Sequence, residues 1–212
     1  PKPHWLRKKL STGPGFEKTR SLLQLEELTT VCAEARCPNI RECFSRHTAT
    51  FMILGKRCTR NCRFCAVENG LPEIPDRNEP ERIARAVGKM DLEYVVVTSV
   101  TRDDLEDGGA SCFAETIEAV RALLPGTLVE VLVPDFLGNP ASLETVLAAQ
   151  PAVLNHNLET VPRLYPSIRR GADYNRSLSL IGHAVRSGVP VKTGLMLGLG
   201  ERNSELKETL RD

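Results

Sequence analysis

The segment Cys58-Thr59-Arg60-Asn61-Cys62-Arg63-Phe64-Cys65 carries three thiols at Cys-x3-Cys-x2-Cys spacing. Thiolates so placed can bind three irons of a 4Fe–4S cluster and leave the fourth iron open. An open coordination position on a metal is a place for chemistry. Structural zinc is the competing use of close-spaced cysteines. It takes four Cys or His ligands, and the nearest histidine after this triplet is His156. A second triplet lies upstream, Cys32, Cys37 and Cys43, with His47 four residues beyond. Its spacing allows either a second cluster or a Cys3His zinc site. The remaining cysteine, Cys112, lies in a helical pattern and reads as a core thiol. An odd cysteine count without a secretion signal argues for bound metal in a reducing compartment, the cytoplasm, over a disulfide framework.

With an aromatic residue before its last cysteine, the 58–65 string is similar to the signature of radical S-adenosylmethionine (SAM) enzymes. The resemblance implies that the open iron chelates SAM through its amino and carboxylate groups. One electron from the cluster would then cleave SAM to methionine and a 5′-deoxyadenosyl radical, with Phe64 flanking the adenine. The upstream string Cys32-Ala33-Glu34-Ala35-Arg36-Cys37-Pro38-Asn39-Ile40-Arg41-Glu42-Cys43 resembles the auxiliary-cluster motif of lipoyl synthases. Lys2-Pro3-His4-Trp5-Leu6 resembles that family's opening, and the similarity extends over essentially all 212 residues. This implies two 4Fe–4S clusters: one at Cys58, Cys62 and Cys65 that binds SAM, and an auxiliary one at Cys32, Cys37 and Cys43 that gives up its sulfur. The implied reaction inserts sulfur at C6 and C8 of an octanoyl group on a lipoyl carrier protein or domain. An electron donor such as flavodoxin or ferredoxin would serve it. A biotin-synthase-like radical sulfurtransferase would share the SAM triplet but draw its auxiliary ligands from the barrel strands. A zinc or iron–sulfur electron-transfer module would need no SAM-binding strings at all.

The elements that must position these residues read as strands alternating with helices. A short apolar run at 51–54, valine-rich runs at 94–100 and 128–134, and the segments 153–159 and 189–197 predict five strands, and helical periodicity recurs near 79–90, 110–124, 140–149 and 174–187. This repetition predicts an α/β fold, a partial TIM-like (β/α) barrel of the radical SAM type. Residues 1–50 form an N-terminal cysteine-rich extension carrying the auxiliary motif, and residues 51–212 the incomplete barrel. Such barrels place active sites at the carboxyl ends of their strands, where this chain's polar strings fall. In Val153-Leu154-Asn155-His156-Asn157-Leu158-Glu159, alternation sets Asn155, Asn157 and Glu159 on one face and Leu154, His156 and Leu158 on the other. Polar groups facing into a barrel need partners or a ligand. By the resemblance, Asn157 and Glu159 bond the ribose of SAM, while His156 reads as a satisfied structural histidine. Gly194-Leu195-Met196-Leu197-Gly198-Leu199-Gly200-Glu201 looks like the adenine-binding motif, assigning Gly194, Met196, Gly198 and Glu201. Thr98 and Ser99 open a string similar to one in lipoyl synthases and are candidates for the methionyl end. Asp103 and Asp104 in it can instead cap a turn. Arg169 is a further candidate, for the SAM carboxylate.

Charge is unevenly spread. Residues 1–65 hold 13 Lys and Arg against 5 Glu, whereas the remainder holds 15 against 22 acidic residues. Lys56, Arg57, Arg60 and Arg63 surround the second triplet, either offsetting thiolate charge, forming a solvated rim or forming a docking face for an acidic partner. Low aromatic content and the lack of a binding motif argue against nucleic acid, and no apolar run approaches a membrane span. The basic, proline-containing segment 1–16 reads as an extended arm. The family's carboxy-terminal Arg-Ser-Ser-Tyr motif, whose serine completes the auxiliary cluster, is absent, and the sequence stops inside a helix starting near Asn203. The chain therefore reads as incomplete, with an exposed barrel edge prone to aggregation.

Overall fold

The computed structural model describes residue 3 and residues 13–212. The expected arm and the 2–6 string lie almost wholly outside these residues. From Pro14 the chain is helical. Helix α1 (Pro14–Leu25) starts on a proline, whose missing N–H is not needed in a first turn. It crosses α3 (Ile40–Ser45) closely: a Cβ on Gly15 would stand 2.7 Å from the Ser45 carbonyl oxygen. The Phe16 and Phe44 rings pack with centroids 5.7 Å apart. Between these helices, α2 (Val31–Glu34) is capped by Thr30, whose Oγ1 accepts the Ala33 N–H. The Met52 N–H donates to the Thr29 carbonyl at 2.9 Å, tying this helical extension to the first strand.

That strand is β1 (Thr50–Ile53), followed by α4 (Glu79–Lys89), β2 (Tyr94–Ser99), α5 (Ala110–Leu123), β3 (Leu128–Leu132), α6 (Pro140–Ala148) and β4 (Val153–Asn155). Then come α7 (Tyr165–Ile168), α8 (Tyr174–Arg186), β5 (Val191–Lys192) and α9 (Asn203–Thr209). The five strands pair in chain order, every pair parallel. Helical crossovers between consecutive parallel strands make this a partial (β/α) barrel. Phe51, Ile53, Val95, Val97, Val131 and Leu154 are fully buried on the side that meets the helices, with Ile83, Val87, Phe113 and Ile117. Alternation leaves Met52, Thr98 and Leu132 facing the barrel interior.

The helices fall where periodicity places them, but β4 and β5 are shorter than the expected 153–159 and 189–197. The ladder breaks because the Leu158 N–H donates to Thr193 Oγ1 in place of a carbonyl. Glu159 then turns into the left-handed region at φ 63°. Pairing resumes only as a single Glu159–Leu195 bridge. A non-glycine residue held there stores strain, as residues at functional sites often do.

Candidate active site

Cys58, Cys62 and Cys65 lie on the irregular segment between β1 and α4. Leu54 at φ 70° ends the strand, and the buried Glu79 carboxylate accepts its N–H at 2.8 Å. The segment is then stitched to its neighbours. The Cys58 N–H donates to the Glu68 carbonyl at 2.9 Å and the Arg63 N–H to the Ile168 carbonyl at 2.9 Å. The Thr59 N–H and hydroxyl both reach the Thr101 carbonyl at 3.0 Å. Cys58 Sγ accepts two backbone N–H groups, from Arg60 at 3.4 Å and Thr101 at 3.3 Å. All seven cysteines are free. Burial pushes the Cys62 thiol up to about 11; Arg169 opposes the rise, and Cys58 and Cys65 add to it. Among the described residues no three His, Cys, Asp or Glu side chains meet closely enough for a single metal ion. Thiolates on separate irons of one cluster need not meet at a point.

These thiols open on a cavity of about 250 Å³, which Phe64, Thr98, Ser99, Asn157, Glu159 and Arg169 also line. They come from four stretches, the segment after β1, the end of β2, the turn after β4 and the residue after α7, at the end of the sheet where a parallel barrel gathers its loops. Thr98 Oγ1 is committed to the Leu132 carbonyl at 2.8 Å. Ser99 Oγ is buried and has no partner. Burial raises the Glu159 carboxyl above its ordinary value, against a hydrogen bond from Asn157 and the charge of Arg169. Tyr165 OH at 2.9 Å and Ser177 Oγ at 3.2 Å accept from Arg169 Nη1 and fix its guanidinium. Sequence reading missed both of these holders, because nothing local to Tyr165 or Ser177 marks them.

The other expected residues, Gly194, Met196, Gly198 and Glu201, are not among those that line the cavity. Gly194 abuts Asn157: a Cβ there would stand 2.9 Å from Asn157 Oδ1, so only glycine leaves that amide its place. The Met196 N–H donates to the Glu159 carbonyl at 2.8 Å, while the Met196 side chain is half-exposed. Gly198 sits at φ 92°. Glu201 folds back to accept the Gly198 and Leu199 N–H groups at 2.6 and 2.8 Å. Asn155, on the expected polar face, lies deeper and donates to Glu130 at 3.4 Å. Glu130 itself is buried and paired with Lys192 at 2.8 Å. His156 is fully buried between the Val133 carbonyl at 2.8 Å and Ser177 Oγ at 3.0 Å. Burial holds it down to about 4, so it is a neutral structural histidine.

Two expectations about charged residues need correction. Arg60 is not part of an exposed basic rim: it is 8% exposed and bonded to Asp103 and Asp135. Asp103 and Asp104 are not turn caps, since Asp103 pairs with Arg60 and Asp104 with Arg102.

The upstream triplet is gathered by the helical extension. Cys32 lies in α2, Cys37 in the turn after it and Cys43 in α3. The Cys37 N–H donates to the Cys32 carbonyl at 3.1 Å. Burial raises the Cys32 thiol, and nearby Cys37 and Cys43 add to that rise. His47 Nδ1 meets Thr19 Oγ1 at 3.2 Å. Val31 and Ala35, flanking Cys32, line the same cavity as the other triplet.

The donor set suits a 4Fe–4S cluster with SAM: three soft sulfurs, an orphaned buried hydroxyl at Ser99, a buried carboxyl and a fixed guanidinium around one cavity. The family model of the radical SAM superfamily matches residues 52–212. The solved structure of methylornithine synthase superposes with TM-score 0.57 at 17% identity, covering 96% of this chain and 60% of that one, which supports the barrel fold alone. A lipoyl synthase of Desulfotalea psychrophila is 59% identical over 100% of this chain and 71% of its own length. One of Caldicellulosiruptor saccharolyticus is 54% identical over 100% of this chain and 75% of its own. The thiol-lined barrel mouth and these similarities together place the chain in the lipoyl synthase family of the radical SAM superfamily.

Proposed function

We propose that this protein catalyses radical sulfur insertion at C6 and C8 of a protein-bound octanoyl group, giving the lipoyl cofactor. The observation that carries this is the single cavity bordered both by Cys58, Cys62 and Cys65 and by the helix bearing Cys32. Bound there, a reduced 4Fe–4S cluster and SAM supply a carbon radical able to take hydrogen from unactivated C–H bonds, chemistry no side-chain acid or base can perform. The protein's part is placement and exclusion of water. Asn157 and Glu159 bond the ribose hydroxyls, Arg169 the SAM carboxylate and Ser99 the methionyl end. Phe64 would flank the adenine, and the segment holding Gly194, Met196, Gly198 and Glu201 would also contribute to its binding. Cys32, Cys37 and Cys43 hold the auxiliary 4Fe–4S cluster, the sulfur donor. In this reading residues 1–50 serve the auxiliary cluster and 51–212 the SAM chemistry. Among the described residues no helix is long and apolar enough to cross a membrane, and we place the protein in the cytoplasm.

The direct test is anaerobic reconstitution with iron and sulfide, followed by assay on an octanoylated carrier domain with SAM and reduced flavodoxin or ferredoxin. Lipoyl product with two SAM consumed per carrier is expected. A colourless, zinc-loaded protein from anaerobic preparation would overturn the reading.

The carrier is a macromolecule, so it needs a docking face near the cavity mouth. With Arg60 buried, that face comes from other cations: Arg36, Lys56, Arg63 and Arg170 are exposed close to the two triplets. Among the described residues no carboxylate pairs with them, whereas Arg57 is engaged by Glu68 at 3.3 Å. Association with an acidic carrier domain should weaken as salt rises, since exposed charges are screened over ~8 Å at physiological ionic strength. Reversing Arg63 and Arg170 to Glu should slow carrier association about tenfold and leave carrier-free SAM cleavage nearly unchanged. Stopped-flow binding across a salt series checks this; association indifferent to salt and to both reversals removes the docking face.

A further inference from the structure

Arg60 is a charged side chain that neither cluster binding nor docking explains. It lies midway between Cys58 and Cys62, and its side chain is 6% exposed. Its Nε and Nη2 grip Asp103 in a fork, at 2.7 and 2.8 Å, and Nη2 also reaches Asp135 Oδ1 at 2.6 Å. Asp135 has a fully buried side chain and takes a second cation, Arg176, at 3.2 Å on its other oxygen. Gly171, at φ 82°, packs over the Arg60 stem, where an added Cβ would lie 3.4 Å from Cδ. One guanidinium therefore ties the cysteine loop to the loop after β2 and to Asp135, just past the end of β3. Burial works to lower its basicity, but the two carboxylates outweigh this and leave it raised. Its charge is matched chiefly by Asp103 and Asp135, and what remains favours the Cys62 thiolate only behind Arg169.

What the clamp does hold is backbone. The N–H of Arg60 itself and the N–H of Thr101, two residues before Asp103, are the donors to Cys58 Sγ. Thr59 closes the same unit, because its Oγ1 accepts the Asp103 N–H at 3.1 Å. Hydrogen bonds to ligand sulfur draw electron density from the thiolate and raise the potential of the cluster it serves. We propose that Arg60, Asp103 and Asp135 are positioning residues that fix these two N–H donors on Cys58 and thereby set the reduction potential of the SAM-binding cluster. This rests on the assignment of a cluster to Cys58, Cys62 and Cys65.

The experiment compares Arg60→Lys, which keeps the charge but loses the fork, and Asp135→Asn, which keeps the shape but loses the charge. Both are made in the full chain and reconstituted anaerobically. Iron content and the EPR signal that changes on adding SAM report whether the cluster is present; a redox titration of that signal reports its potential. Expected are wild-type iron content, a more negative midpoint in both variants, and SAM cleavage with a fixed protein donor slower by about tenfold. A stronger chemical reductant should restore most of that rate, which a purely structural defect would not allow. An unchanged midpoint in a folded, iron-replete Arg60→Lys protein overturns the proposal. So does loss of iron from both variants with native circular dichroism, which would make the clamp a means of retaining the cluster and not of tuning it. Failure of the underlying assignment shows separately, as a wild-type protein with no SAM-sensitive signal.

Discussion

Replacing Cys58, Cys62 and Cys65 together by alanine will abolish reductive SAM cleavage, while replacing Cys32, Cys37 and Cys43 will leave cleavage in place and abolish lipoyl formation. The expectation follows from where the two sets sit. The first lies on the loop between β1 and α4 and lines the cavity with Arg169, Glu159 and Ser99. The second lies in α2, α3 and the turn between them, held by contacts of its own such as the packing of Phe16 on Phe44. Losing three thiols from one set removes no hydrogen bond that holds the other. Each triple variant should therefore lose about half of the bound iron and keep the spectrum of the remaining cluster. Quantifying methionine and 5′-deoxyadenosine apart from lipoyl product separates the roles. If the Cys32, Cys37 and Cys43 variant stays folded but loses the iron at the other triplet, the two sites are not independent and the division of labour fails.

Much of this arrangement can be read from the chain, and what cannot has a physical cause. The barrel is legible because helices such as α4 and α8 carry strong 3.6-residue periodicity, and its central strands, Tyr94–Ser99 and Leu128–Leu132, read as Tyr-Val-Val-Val-Thr-Ser and Leu-Val-Glu-Val-Leu, rich in valine and bounded by turn signals. The thiols are legible because their spacing is local. The ends of β4 and β5 are not, since they are decided by one side-chain acceptor, Thr193, and by the left-handed turn at Glu159. Arg60 reads as one more surface cation next to Lys56 and Arg57, because the carboxylates that bury it lie 43 and 75 residues further along. Sequence carries the sign of a charge but not its partner across loops. The holders of Arg169 escape notice for the same reason: Tyr165 and Ser177 become significant only when α7 and α8 fold over the strand end.

The face of the chain just beyond β4 gives the sharpest contrast between neighbouring residues. Glu159 lines the cavity, and burial holds its carboxyl above the ordinary range. Between the unfolded value and that raised value the folded protein binds more protons than the unfolded chain, so stability contributed here falls as pH rises through the window. Glu159→Gln removes that burden, so the free protein should be no less stable above the window than the wild type. SAM binding should respond in the opposite sense. The ribose hydroxyls donate best to an ionised acceptor, and the sulfonium cation favours the same state. SAM affinity of the wild type should therefore rise with pH across the window, and Glu159→Gln should flatten that profile and weaken binding by about 1.5–3 kcal/mol. Leu158, one residue earlier, points the other way. It is 3% exposed and packs in a small cluster with Tyr165 and Tyr174. Leu158→Gln buries an amide among these rings and should cost about 2–4 kcal/mol of stability, read as a lower denaturation midpoint in urea. Some SAM affinity should go with it, because the Leu158 carbonyl accepts the Tyr165 hydroxyl at 2.8 Å and that hydroxyl holds Arg169. Equilibrium dialysis with labelled SAM and urea melts on both variants decide the matter. A folded Glu159→Gln protein that binds SAM as tightly as the wild type, with the same pH profile, takes this carboxylate out of the site.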